Sequence, residues 1–136
     1  FLSHFFVGPE FIEYDSLLFP TVEHAYQAAK TLDPIEREFI LTSRTPGVAK
    51  RRGRKVALRP DWQDVRISVM MDLLRMKFSN PGLAAKLLAT GNSPLIEGNL
   101  WGDTFWGVCR GSGENHLGKL LMQVREDLRD SRLYPQ

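Results

Sequence analysis

The sequence predicts a mainly helical α+β domain, a short N-terminal β-hairpin and small sheet packed by five to six helices. Three observations carry this expectation. Short apolar runs in residues 1–20 are broken by Gly8-Pro9 and Asp15-Ser16, the pattern of short strands around turns. Helix-start signals then recur at Thr21, Asp33-Pro34, Thr45-Pro46, Pro60 and Asn80-Pro81. Near the end, Leu117, Leu120, Leu121, Val124 and Leu128 form one apolar stripe at helical spacing. With 136 residues, 43% hydrophobic and 25% charged, residues 1–136 are expected to form a single domain. The chain begins at Phe1 rather than Met, so a trimmed N-terminus is expected.

Taken in order, Phe5–Val7, Phe11–Ile12 and Leu17–Phe19 read as strands of a hairpin. Thr21 caps a helix expected to reach Leu32, which Asp33-Pro34 stops. A second helix runs from Pro34 to Thr42, and a third carries basic residues from Thr45-Pro46 to Gly53. The longest runs from Pro60 to Phe78; the next spans Pro81 to Ala89, with Gly91 as its stop. Residues 92–112, rich in Gly, Asn and Trp, read as a loop with one strand at Leu95–Glu97. The last helix is expected from Glu114 to Ser131.

Composition removes several function classes. No apolar run approaches the ~20 residues needed to span a bilayer, and residues 1–6 lack the features of a signal peptide. Cys109 is the lone cysteine, which excludes an internal disulfide and fits the reducing cytoplasm. With His4, His24 and His116 widely spaced, neither a metal nor another cofactor is expected. The charge is uneven. Seven of the 18 basic residues (Arg44, Lys50, Arg51, Arg52, Arg54, Lys55, Arg59) lie in a segment without acids, leaving 11 against 16 acidic residues elsewhere. A cationic segment on an otherwise acidic chain suits an anionic partner, although a solvated basic helix accounts for it equally well.

Three constellations could carry chemistry. On the long helix, Lys77 and Arg66 fall on a face whose other residues are apolar. A lysine desolvated there is a competent nucleophile toward a sugar C1, whereas a lysine at a helix end can also extend its ammonium into water. On the first helix Glu23, Gln27 and Lys30 share one stripe, able either to line a cleft or to form an ordinary exposed face. His24 points away from the adjacent apolar stripe and reads as a surface residue. Third, residues 97–107 put Trp101 and Trp106 beside Glu97 and Asp103 in a Gly-punctuated loop. The rings can stack on a base, and the carboxylates can hold ribose hydroxyls. Residues 111–118 follow as a Gly-rich turn into a helix, a phosphate cradle or a simple helix cap.

The chain resembles the NADAR (YbiA-like) family of N-glycosidases. The likeness rests on Phe19-Pro20-Thr21-Val22-Glu23-His24, Tyr26-Gln27, Lys30, Met76-Lys77-Phe78, Leu88-Ala89-Thr90 and Leu95-Ile96-Glu97. It continues through Trp106-Gly107, Asn115, Leu117-Gly118, Leu121-Met122 and Arg125, in the family's order over nearly the whole chain. The family's Ser-Asn-Phe stands here as Ser3-His4-Phe5. The resemblance implies hydrolysis of a ribose C1–N bond without a cofactor. Two substrate classes go with it: phosphoribosylated aminopyrimidines of early riboflavin synthesis, and ADP-ribose on guanine in nucleic acid. Carried over by position, Glu23, Lys30 and Lys77 are the expected catalytic residues, with a lysine forming a Schiff base with the opened sugar. The helical pattern favours Lys77 for that role and leaves Lys30 open. Gln27, Arg54, Glu97, Trp101, Asp103, Trp106, Gly107, Asn115 and Gly118 are the expected substrate contacts. The competing readings are a module that binds ADP-ribose or nucleotides without cleaving them, and a nucleic-acid binder acting through Arg44–Arg59. No membrane partner is expected, and the pattern does not specify an oligomeric state.

Overall fold

The computed structural model describes residues 1–8 and 10–133. Its elements are β1 (Ile12–Tyr14), β2 (Leu17–Phe19), α1 (Val22–Ala29), α2 (Pro34–Leu41), α3 (Pro46–Gly53), α4 (Trp62–Lys77), α5 (Pro81–Ala89), β3 (Gly98–Asn99), β4 (Val108–Cys109) and α6 (His116–Leu133). This is the mainly helical α+β class that the sequence predicts. Pro9, part of the first turn signal, lies outside the described residues. No described helix is long and apolar enough to cross a membrane.

The contacts gather into two units. The first holds Phe1 and Ser3–Lys77. Here β1 and β2 pair antiparallel, Ile12 opposite Phe19. Asp15 and Ser16 turn the chain with φ of 47° and 67°. That pair of left-handed residues suits the twist of a two-residue hairpin but strains non-glycine side chains. Arg37 of α2 steadies the turn, donating from Nη1 to Asp15 Oδ2 at 2.6 Å and from Nε to the Thr31 carbonyl at 2.8 Å. Thr21, Asp33 and Thr45 cap α1, α2 and α3, each side chain accepting from a backbone N–H in the first turn.

Helix α1 packs against α2, α3 and α4, and all eight of its residues are buried. Ala25, Ala28 and Ala29 let the neighbouring helices approach closely, while Phe19, Ile40, Met70, Leu73 and Leu74 fill the surrounding space. The helix stops at Ala29, short of the expected Leu32, because the N–H groups of Lys30 and Thr31 tighten into three-residue bonds to Gln27 and Ala28. Helix α4 is apolar nearly all round in sequence yet buries mainly one face. Val69, Met70, Leu73 and Leu74 are inside, whereas Ile67 and Met76 are exposed.

The second unit holds Leu2 and the residues from Phe78 onward. Asn80 caps α5, which packs on α6; Leu83 and Leu87 on the one and Leu117, Leu121 and Val124 on the other are buried. Gly91 takes the left-handed conformation that the expected helix stop requires. Arg125 reaches across to Thr90 Oγ1 and the Ser93 carbonyl, at 2.9 and 2.8 Å.

The strand expected at Leu95–Glu97 does not form. The Asn115 side chain takes that backbone instead, accepting from Glu97 N–H and donating to the Leu95 carbonyl, both at 2.9 Å. Pairing begins one residue later, where β3 runs parallel to β4 with Gly98 opposite Val108. Asn115 itself has a left-handed φ of 53°, which starts α6 at His116 rather than Glu114.

Gly118 lies so close to this arrangement that a methyl group there would overlap the Leu95 carbonyl and the Asn115 amide. Gly118→Ala is therefore expected to destabilise the protein by ~1–3 kcal/mol. Urea unfolding with an unchanged m-value checks this.

Candidate active site

In the first unit a carboxylate sits in the interior. Glu23 is 2% exposed, and both its oxygens are held: Gln27 Nε2 donates to Oε1 at 2.7 Å and His4 Nε2 to Oε2 at 2.8 Å. The Glu23 backbone N–H in turn donates to the His4 carbonyl at 2.9 Å. Burial alone would push the Glu23 pKa up. The hydrogen bond and charge of His4, the Gln27 amide and the charge of Lys50 outweigh that and hold it below the usual 4.5. Glu23 is thus an ionised carboxylate inside the protein, kept so by specific partners.

The same stripe carries Lys30. Burial lowers its pKa from the usual 10.5, and the charges of Arg54 and Lys50 add to this, against the opposing pull of Glu23. Its ammonium lies over the Tyr26 ring, 5.8 Å from the centroid, and among the described residues makes no hydrogen bond or ion pair. Such an amine reaches the neutral, nucleophilic form more readily than an ordinary lysine.

Lys77 is buried, as the helical pattern predicts, at 4% exposure. Its ammonium donates to the Ser3 carbonyl at 2.9 Å and faces the Phe6 ring at 5.2 Å. Lys77 and Glu23 thereby grip adjacent residues of the segment 3–6, Ser3 and His4. Gln27 presses its side chain on Gly53 so closely that no Cβ fits there, which ties α1 to α3. Arg54, just after α3, is exposed and reaches the stripe through its charge. Arg66 is half-buried.

His24 is not the surface residue that the sequence suggests. It is 1% exposed and bridges Thr21 Oγ1 and the Ser43 carbonyl, because α3 and the turn before it cover that side of α1. Two residues of the cluster escaped the sequence reading of chemistry. His4 was visible only as the departure in Ser3-His4-Phe5, and Lys50 only as one of many basic residues.

The remaining expected contacts belong to the second unit. Trp106 is buried, edge-on to Phe105 at 4.8 Å, while Trp101 is exposed. Asp103 Oδ1 accepts from the Phe105 and Trp106 N–H groups, and Asn99 brackets Asp103 from both sides. Gly107 allows the chain to pass against the Glu97 carbonyl and the Asn99 amide, and Glu97 is half-buried. Asn115 and Gly118 hold the 95–97 segment as described above. Residues 111–118, which read as a phosphate cradle or a simple helix cap, direct backbone donors at the chain itself. The N–H groups of residues 114–117 donate to the carbonyls of Thr104, Gly107, Phe105 and Trp106.

The sequence matches the NADAR domain family over residues 2–129. It is 42% identical over 130 residues to the N-glycosidase YbiA of Escherichia coli strain K12, covering 93% of this chain and 79% of that protein. It is also 39% identical to a riboflavin biosynthesis protein of Vibrio vulnificus, covering 98% of this chain and 37% of the longer relative. The fold is similar to the NMR structure of the E. coli protein YbiA, with a TM-score of 0.87 at 40% identity, over 99% of this chain and 81% of that one.

The lowered Glu23 pKa gives a signed pH dependence. The folded state favours the ionised form, so its stabilisation is complete above about pH 4.5 and is lost as pH falls through the folded value. Between about pH 6 and pH 3 the wild type should therefore lose Tm faster than Glu23→Gln. Equal slopes in thermal melts would remove Glu23 from the acid response.

Proposed function

The chain belongs to the NADAR domain family, and from that membership we propose that it is an N-glycosidase, a hydrolase of N-glycosyl bonds. Its substrate in this reading is a phosphorylated ribosyl compound cleaved between ribose C1 and nitrogen: a phosphoribosylaminopyrimidine of riboflavin synthesis, or ADP-ribosyl-guanine in nucleic acid. The names of the relatives, one an N-glycosidase and one a riboflavin biosynthesis protein, support the class. The observation that carries the chemistry is a buried, ionised carboxylate and an amine of lowered pKa on one stripe of α1 and its C-terminal cap.

A lysine amine attacks C1 as the C1–N bond breaks, and the leaving nitrogen takes a proton. Opening of the ribose ring converts the adduct to a Schiff base; water adds to its carbon, and the amine departs with the sugar released as an aldehyde that recloses. Glu23, held ionised, stabilises through its charge the positive charge that develops on the sugar. Of the two candidate lysines, Lys30 has the stronger support for the attack, since among the described residues its amine makes no hydrogen bond or ion pair, and burial lowers its pKa. Lys77 has a carbonyl and a ring as partners and suits the task of holding the 3–6 segment against α4. Within the second unit, Trp106 shapes the loop that carries the exposed ring of Trp101. We place the protein in the cytoplasm, where the thiol of Cys109 stays reduced.

Released base is measured by chromatography with both substrate classes side by side. Lys30→Ala is expected to lower turnover roughly 10³-fold or more, and Glu23→Gln roughly 10²-fold. Borohydride added during turnover should trap the sugar on the peptide containing Lys30. The rate should rise with pH through an amine pKa lying below 10.5. A trapped sugar on Lys77, with Lys30→Ala at full activity, transfers the nucleophilic role; binding of both substrates without release of base leaves only a binding module.

A further inference from the structure

One part of the first unit has a charge pattern that neither the fold nor the carboxylate–amine stripe requires. Between α2 and α3 lies a concavity of about 560 Å³, lined by Phe39, Val48, Arg51, Arg52, Arg54 and Lys55. Four of the six are cations and none is acidic. Arg52 is fixed in place: it stacks on Phe39 at 4.4 Å and donates to the Phe39 carbonyl at 2.8 Å. The other three are open. Among the described residues, the side chains of Arg51, Arg54 and Lys55 make no hydrogen bond and no ion pair.

The negative end of the α3 dipole favours basic residues in its last turn, which accounts for Arg51 and Arg52. It does not account for Arg54 and Lys55 joining them around one hollow with no carboxylate to neutralise them. Four like charges converging on one space repel each other, and an anion relieves that repulsion. The hollow has the size of a small-molecule site and an apolar wall in Phe39 and Val48. Guanidinium groups present paired donors that match phosphate oxygens. Arg54, one of its lining residues, also acts through its charge on Lys30.

We propose that this concavity binds a diphosphate, or two neighbouring phosphate groups, at the phosphorylated end of the ribosyl substrate. The identity of the ligand rests on the N-glycosidase reading; the affinity for phosphate oxygens does not. Four cations exceed what a single phosphate dianion neutralises, and the space exceeds what one phosphate fills, so pyrophosphate should bind more tightly than orthophosphate. The site then selects phosphorylated over unphosphorylated ribosyl compounds, and it does so through KM.

Inorganic pyrophosphate is titrated into the whole protein by calorimetry, with orthophosphate and an unmodified single-stranded oligonucleotide as parallel probes. Saturable pyrophosphate binding is expected, weakened by salt and weakened about tenfold or more in Arg51→Glu/Lys55→Glu. Lys119→Glu, an equal kind of charge reversal on the exposed face of α6, should leave Kd within about twofold. If charge reversal prevents folding, Arg51→Gln/Lys55→Gln removes the same donors without adding repulsion. Binding of the oligonucleotide alone, or pyrophosphate binding indifferent to Arg51 and Lys55, overturns the proposal. Pyrophosphate bound as expected by a protein that cleaves no ribosyl substrate keeps the phosphate site and removes the glycosidase reading. Cleavage of phosphorylated substrate with KM unchanged in the double variant does the reverse.

Discussion

The first unit is organised around keeping one negative charge out of water. A bare carboxylate at the depth of Glu23 would be too costly to retain, and would either protonate or turn outward. It stays ionised because His4 and Gln27 occupy its two oxygens and Lys50 adds a favourable field. Each partner comes from a different part of the chain, so the requirement to satisfy Glu23 also joins the N-terminal segment, α1 and α3. The His4 carbonyl accepting from the Glu23 N–H, and Lys77 holding the Ser3 carbonyl, fasten the same segment a second and third time.

That arrangement explains why so many polar groups are spent inside a small unit. Arg37, His24, Thr21, Glu23, Gln27 and Lys77 are all buried, and together they bond to turns, caps and one another. Helix α1 can tolerate this because most of its remaining residues, Ala25, Ala28 and Ala29, are small. Alanines bring the neighbouring backbones close enough for short side chains to bridge them. Across the α3 side, Gly53 supplies the same closeness to Gln27. Chemistry and packing are therefore not separable on α1: the residues expected to act on a sugar also set the distance between helices.

The second unit solves a different problem, the support of an irregular loop. Its means are backbone bonds made by side chains. Asn115 substitutes for a strand partner at 95–97, Asp103 and Asn99 shape the tryptophan loop, and Arg125 closes the turn after α5. Left-handed Asn115 and the close approaches at Gly107, Gly113 and Gly118 permit these contacts. Residues that read in sequence as ligand contacts here prove to be engaged in the loop's own construction, with Trp101 the large ring left exposed.

The helices, their caps and their order were legible in the sequence because those signals are local: Thr21, Asp33, Thr45 and Asn80 act on N–H groups a few residues away. The stripe of Glu23, Gln27 and Lys30 was legible for the same reason, helical periodicity being a property of consecutive residues. What periodicity cannot encode is which residue from a distant segment meets that stripe. Only the tertiary structure brought His4 and Lys50 to Glu23, buried His24 rather than exposing it, and separated the surroundings of Lys30 from those of Lys77. The strand at Leu95–Glu97 was misplaced on the same account. A backbone group bonds to whichever partner the fold brings within reach, and in a loop that partner is set by long-range packing rather than by neighbouring sequence.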